Sequence, residues 1–178
     1  MTDFSVLKEE FETILKELVL ARTPKNLIGL REMVSYHFGW NDPAPKTGKR
    51  LRPMLLLASS HLFGGNPQEL IPAAVAMEVL HNYTLVHDDI EDEGETRHGR
   101  VCLWRQYGLA QSLNTGDFLS TMAHDIFFEV EPFVKPGDFK RAYAVFRQAS
   151  LGVLRGQYMD IHFEDESNVS VDDYLEMI

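Results

Sequence analysis

Six acidic side chains fall within eight residues, Asp88, Asp89, Glu91, Asp92, Glu93 and Glu95, at the end of a stretch with helical patterning. Acids at a helix C-terminus oppose the macrodipole, so a cationic partner is expected to compensate them. Asp88 and Asp92 are four residues apart and project from one helix face. Glu78 and His81 lie on that same face, and Val75, Val79, Val86 and Ile90 form the opposite, core-facing stripe. Paired carboxylates without a neighbouring Cys or His pair suit a hard, oxygen-seeking cation. Mg²⁺ takes one or two carboxylates, keeps several waters and shares the rest of its shell with phosphate oxygens. Arg97, just downstream, is placed to take further phosphate oxygens. Lys49, Arg50 and Arg52 cluster where another helix begins, and a helix N-terminus itself favours anions. Asn114, Asp117, Thr121 and His124 form one polar helix stripe and Gln157, Asp160 and Glu164 another. Each stripe is either a solvated face or the wall of an interior polar site.

The elements that must carry these residues read as helices nearly throughout. Phe4, Leu7, Phe11, Ile14, Leu15 and Leu18 recur at helical spacing, and Pro24 stops the run. A short helix is expected over residues 25–38, then a loop over 41–48. The next helix opens near Arg50, tolerates Pro53 in its first turn and ends at the glycines 64 and 65. Pro72 opens a helix of about twenty residues, roughly 30 Å long, and residues 93–99 read as a loop. Further helices are expected over 109–130 and from an Asp138 N-cap to about Phe163. The second carries an apolar stripe of Phe139, Ala142, Phe146, Ala149, Val153 and Gly156. Ser170 and Asp173 read as a capping box with Asp in the usual Glu position. The helix it starts would have only eight residues, short of the twelve or so that an isolated helix needs. An all-α bundle of long, mostly antiparallel helices around a central cavity is therefore expected, with residues 1–178 as the N-terminal part of one domain.

Composition narrows the chemistry further. The chain has 178 residues, 44% hydrophobic and 25% charged, the balance of a globular protein. Its net charge of −10, with no basic run, argues against nucleic acid as a partner. Cys102 is the single cysteine and cannot form an internal disulfide. No apolar run reaches the ~18 residues of a membrane span, and the first residues lack an apolar leader. A cytoplasmic location without stable membrane insertion is expected.

Five segments together resemble the trans-polyprenyl diphosphate synthases: GKRLRP (48–53), EVLHNYTLVHDDIED (78–92), RHGRVCLWRQYG (97–108), NTGD (114–117) and GQYMD (156–160). Their order and spacing are similar to the family over essentially the whole chain. The resemblance implies a Mg²⁺-dependent prenyltransferase that joins isopentenyl diphosphate to an allylic diphosphate, each turn adding five carbons. It implies that Asp88, Asp89 and Asp92 form the metal-binding box, with Asp88, Asp92 and Arg97 catalytic. It implies that Lys49, Arg52, His81 and His98 bind isopentenyl diphosphate, and that Arg97, Gln157 and Asp160 serve the allylic site. Tyr83, five residues before Asp88, resembles a cavity floor that would limit the product to C15–C20. A homodimer is likewise implied.

The chain departs from that pattern at several points. His98 and Trp104 replace an arginine and a histidine common in the family, and Arg100 or a protonated His98 is the candidate substitute for the arginine. No second Asp-rich motif follows Gln157, because Asp172 and Asp173 lack a third Asp at the right spacing. A truncated, non-catalytic partner subunit or remnant is thus the alternative expectation. Two Glu-x-x-His pairs, Glu78–His81 and Glu95–His98, are the ligand pattern of di-iron bundles, but the second pair lies between glycines in the expected loop. A class I terpene cyclase also uses an Asp-rich helix end, yet has no need of GKRLRP.

Overall fold

The computed structural model describes residues 4–43 and 48–178; the loop expected over 41–48 lies partly outside them. The helices are α1 (Phe4–Arg22), α2 (Ile28–Phe38), α3 (Leu51–Leu62), α4 (Ile71–Glu91), α5 (Leu103–Tyr107), α6 (Leu109–Phe127), α7 (Pro136–Glu164) and α8 (Val171–Met177), with short 3-10 turns at Pro67–Leu70 and Phe128–Phe133. The protein is all-α. The one exception among the described residues is a two-residue hairpin, β1 (Thr96–Arg97) with β2 (Arg100–Val101), inside the expected 93–99 loop. The chain forms two compact units, Met1–Phe133 and Val134–Ile178.

α4 is the axis of the first unit. Ile71, Ala73, Ala74, Val75, Ala76, Glu78 and Val79 are all buried, so its first half is enclosed on every side. The sequence reading gave it one core face only; the small side chains at 73, 74 and 76 are what let neighbours close in. α6 packs along α4 most extensively, with α1 and α3 also against it. Their contributions are Leu119, Met122, Ala123 and Ile126 from α6, Leu7, Phe11, Leu15 and Val19 from α1, and Leu57 from α3. Gly116 makes the α4–α6 contact possible, because a Cβ there would stand 2.5 Å from the His87 ring. Burying side chains of this size contributes roughly 1.5–3 kcal/mol each.

The second unit is a long helix and a short one. α7 starts at Pro136 with Lys135 in the N-cap position, so Asp138 is not the cap. Asp138 sits in the first turn, where its charge complements the helix dipole, and it pairs with Arg141. Of the apolar stripe expected on α7, Phe139, Phe146 and Gly156 are buried while Ala142, Ala149 and Val153 are exposed. The capping box at Ser170 forms as read: the Ser170 Oγ accepts from the Asp173 N–H at 3.1 Å, and the Asp173 carboxylate accepts from the Ser170 N–H at 3.1 Å. α8 crosses α7 so closely that a side chain at Gly156 would collide with the Met177 carbonyl.

Candidate functional site

The first unit carries a cleft of about 270 Å³ between the segment before α3, the middle of α4 and the hairpin. Lys49, Arg52, His81, Arg97 and His98, all singled out from the sequence, line it together. Arg50 and Arg100 add two more guanidinium groups, and Glu78 is the acid among the lining residues. The cationic residues gather in this cavity although the chain's net charge is −10, and such a local concentration of positive charge favours anions.

Arg50 (56°) and His98 (54°) in this wall, and Gly99 (80°) next to it, have positive φ. His98 and Gly99 are the two central residues of the hairpin, and positive φ at both is what a type I′ turn requires. That turn places Arg97 directly across from Arg100. Like charges facing each other across a strand pair are destabilising, and separate acceptors offset this cost. Arg97 bonds to Asp89 on α4 through Nε at 2.8 Å and Nη2 at 2.7 Å. Arg100 donates to the carbonyls of Tyr36 and His37 at the end of α2, and its guanidinium stands 5.5 Å from the Tyr36 ring centre. Gly39 leaves the room for it: at φ 79°, a Cβ would lie 3.1 Å from Arg100. Arg100 is thus a clamp between hairpin and α2, which engages the donors it would need to replace an arginine at position 98.

At the end of α4, Asp88 is half-buried and Asp92 exposed. Burial raises the Asp88 carboxyl above its ordinary value; Arg97 pulls it down, but the surrounding charges of Glu91, Asp92 and Asp89 add to the rise. A cation would relieve this crowding. Among the described residues no three His, Cys, Asp or Glu side chains gather to hold a metal by themselves. Two carboxylates fit a cation that completes its shell with water and phosphate oxygens. Asp89 is buried and committed to Arg97. The Arg97 guanidinium, lowered by burial, is raised on balance above its usual value by Asp89 and Asp88. Trp104 pins the acidic loop from beneath, its Nε1 donating to the Gly94 carbonyl at 2.8 Å.

Glu78 and His81, read as one groove face, part company. Glu78 is buried against Arg50 at 2.5 Å, while His81 reaches the cleft with its Nε2 3.4 Å from Arg52. Burial first, then Arg52, Arg97 and Arg50, lower the His81 pKa despite Glu78, so the ring is neutral near pH 7. Arg50, an apparent third member of the basic cluster, turns inward instead: its Nε meets Glu12 of α1 at 2.8 Å. A non-glycine residue in the left-handed region costs about 1–2 kcal/mol. Burial lowers the Arg50 pKa, but the two carboxylates more than offset that.

Tyr83 is buried on α4, in edge contact with His87 at 4.7 Å. His87 Nε2 stands 3.5 Å from Asp117 of α6. Asn114, Asp117 and Thr121 of the α6 stripe are exposed. Gln157 and Asp160 are carried by α7 in the second unit, the first half-buried and the second exposed. Of the Glu-x-x-His pairs, Glu78 is occupied by Arg50 and His98 sits in a turn. Sequence reasoning missed Arg50 as an inward group, Arg100 as a clamp, and His37, buried beside Asp89, Arg97 and Arg100. Only Gly39, next to the aromatic end of α2, hinted at the second of these.

Comparison with known proteins gives the family of the chain. The chain is 36% identical over 154 residues to the (2E,6E)-farnesyl diphosphate synthase of Mycobacterium bovis, covering 83% of this chain and 42% of the relative. Geranylgeranyl pyrophosphate synthetase from Pyrococcus horikoshii superposes with a TM-score of 0.84 at 34% identity, over 98% of this chain and 51% of that one. A polyprenyl synthase from Caulobacter crescentus, solved with calcium and isoprenyl diphosphate, gives 0.78 at 27% identity, over 97% and 48%. The chain thus spans about half the length of the relatives it matches. The polyprenyl synthetase family model matches residues 37–178, from the end of α2 through the cationic cleft and the Asp-rich end of α4 to α8, and the chain belongs to that family.

Proposed function

We propose that the chain supplies the diphosphate-binding half of a prenyltransferase that joins isopentenyl diphosphate to an allylic diphosphate, giving a C15–C20 product. The observation that carries this reading is one cleft wall, where Lys49, Arg52, His81, Arg97 and His98 meet, with the Arg97 charge also acting on the Asp88 carboxyl at the end of α4. In the reaction the allylic C–O bond breaks and its electron pair leaves with the diphosphate. The isopentenyl double bond attacks the carbocation, and a proton is then lost.

The residues divide that work. Asp88 and Asp92 would hold Mg²⁺, which when bound neutralises the leaving diphosphate; Asp89 joins the same box by holding Arg97. Arg97 takes the charge that builds on the departing oxygens, as preorganised donors do in a water-poor site. Lys49 and Arg52 hold the second diphosphate, with His98 at the rim. His81, neutral, accepts from Arg52 at Nε2 and keeps its own proton on Nδ1. Gln157 and Asp160 belong to the allylic side in this reading. A homodimer in the cytoplasm is the proposed state; no described helix is long and apolar enough to cross a membrane.

The test is Mg²⁺-dependent incorporation of labelled isopentenyl diphosphate, by this chain and by any longer product of its reading frame. Asp88→Ala and Asp92→Ala are expected to lower turnover by about 100-fold or more without loss of helicity. Undiminished turnover in either folded variant removes the metal role.

A further inference from the structure

Arg50 sits between two residues assigned to the isopentenyl diphosphate site and lies in the same cleft wall, yet its guanidinium is taken up by two carboxylates. Its side chain is 5% exposed, against 6% for Glu78, its partner on α4, and 28% for Glu12, its partner on α1. Asn82 donates to the same Glu78 oxygen that Arg50 contacts, at 3.2 Å. One guanidinium therefore faces two carboxylates, and no net positive charge is left for a bound anion. Its backbone is left-handed, at φ 56° and ψ 34°, immediately before α3 begins. Lys49 and Arg52, to either side, are exposed and line the cleft. The left-handed step reverses the chain so that position 50 enters the interior while its neighbours face out.

We propose that Arg50 is a positioning residue: gripped by Glu12 and Glu78, it pins residues 48–52 against α1 and α4 and thereby sets Lys49 and Arg52 around the diphosphate. The inference rests on the reading of the cleft as a diphosphate site. Arg50 itself does not touch the anion, and its two acids, although negatively charged beside an anion site, strengthen anion binding. Simple electrostatics demands the opposite sign, since removing a carboxylate that lines a cationic cleft favours a polyanion. That opposition is the basis of the test.

Inorganic diphosphate is titrated calorimetrically, without metal, into the full chain, into Glu78→Ala and into Glu12→Ala. Circular dichroism and thermal melting identify folded variants. Glu12 does not line the cleft and its removal is the milder change, so it serves if Glu78→Ala fails to fold. The expected result is a roughly tenfold or greater loss of diphosphate affinity in each folded variant. Lys49→Gln and Arg52→Gln in the unaltered background establish that the anion sits on these two cations. Unchanged or tighter binding in a folded Glu78→Ala or Glu12→Ala chain overturns the positioning role, while the diphosphate site stands. Failure of the unaltered chain to bind diphosphate, or binding insensitive to Lys49 and Arg52, overturns the site reading and this inference with it.

Discussion

Residues of one type divide by what surrounds them. Arg97 and Arg52 face the cleft, whereas Arg50 and Arg100 hold the walls. The same holds for the histidines. His81 opens to the cleft, but burial lowers His37 to about 4; Asp89 opposes that shift, and Arg97 and Arg100 add to it. The folded protein keeps His37 neutral, while the unfolded chain protonates it near 6.5. His37 therefore contributes stability that is present above pH 6.5 and lost as pH falls from there toward 4. The stability difference between the unaltered chain and His37→Gln, from urea midpoints, is expected to shrink over that range; a constant difference refutes it. Tyr83 carries the product-length expectation. It is buried beside His87, and if it is the cavity floor of the proposed enzyme, Tyr83→Ala is expected to lengthen the product by five carbons or more. An unchanged product from a folded variant ends that role. The identities of the cleft residues were legible because charged types at fixed spacing are visible in a sequence. The inward turn of Arg50 was not, because it depends on Glu12, 38 positions away.

At the scale of elements, helices were legible and the hairpin was not. α1, α4 and α6 have apolar residues at helical spacing over many turns, Pro72 stands in the first turn of α4, and Pro24 and Pro132 follow the ends of α1 and α6. β1 and β2 have two residues each, too few for any alternation to show. Their stability comes from outside: Tyr36 Oη donates to the Val101 carbonyl at 2.8 Å, and Arg100 bonds the end of α2. The hairpin is thus held between α2 and α4 with Arg97 at its turn. Arg100→Ala removes two bonds from a charged donor, a loss of about 2 kcal/mol, and releases Arg97 from one of its supports. A lower urea midpoint together with weaker diphosphate binding is expected. Loss of stability without loss of affinity would show that Asp89 alone fixes Arg97. The α7 stripe misled for a different reason: helical periodicity marks a face that can be buried, but not what covers it, and Ala142, Ala149 and Val153 stand exposed.

For the molecule as a whole, the controlling quantity is the distribution of charge. The chain carries 27 acids against 17 Lys and Arg, yet Lys49, Arg52, Arg97 and Arg100 line one cleft, with Arg50, neutralised by Glu12 and Glu78, in its wall. In the proposed function the acidic total repels a diphosphate from a distance, and the cleft attracts it at close range. Added salt weakens both, but not equally. Charges beyond about 10 Å are largely screened at 0.1 M ionic strength, while partly buried neighbours in direct contact are screened much less. Moving from 0.05 to 0.5 M salt therefore removes most of the distant repulsion early, and further salt acts on the exposed partners, Lys49 and Arg52. Two regimes are expected in a calorimetric titration with inorganic diphosphate: a shallow dependence at low salt, where the two losses oppose each other, and a steeper fall in affinity at high salt. A monotonic rise with salt would mean that the acidic surface, not the cleft, governs the encounter. It would also remove the electrostatic basis for assigning a diphosphate to this wall. The two-regime curve ties the assignment to the one property that the composition conceals, a local positive field inside an acidic protein.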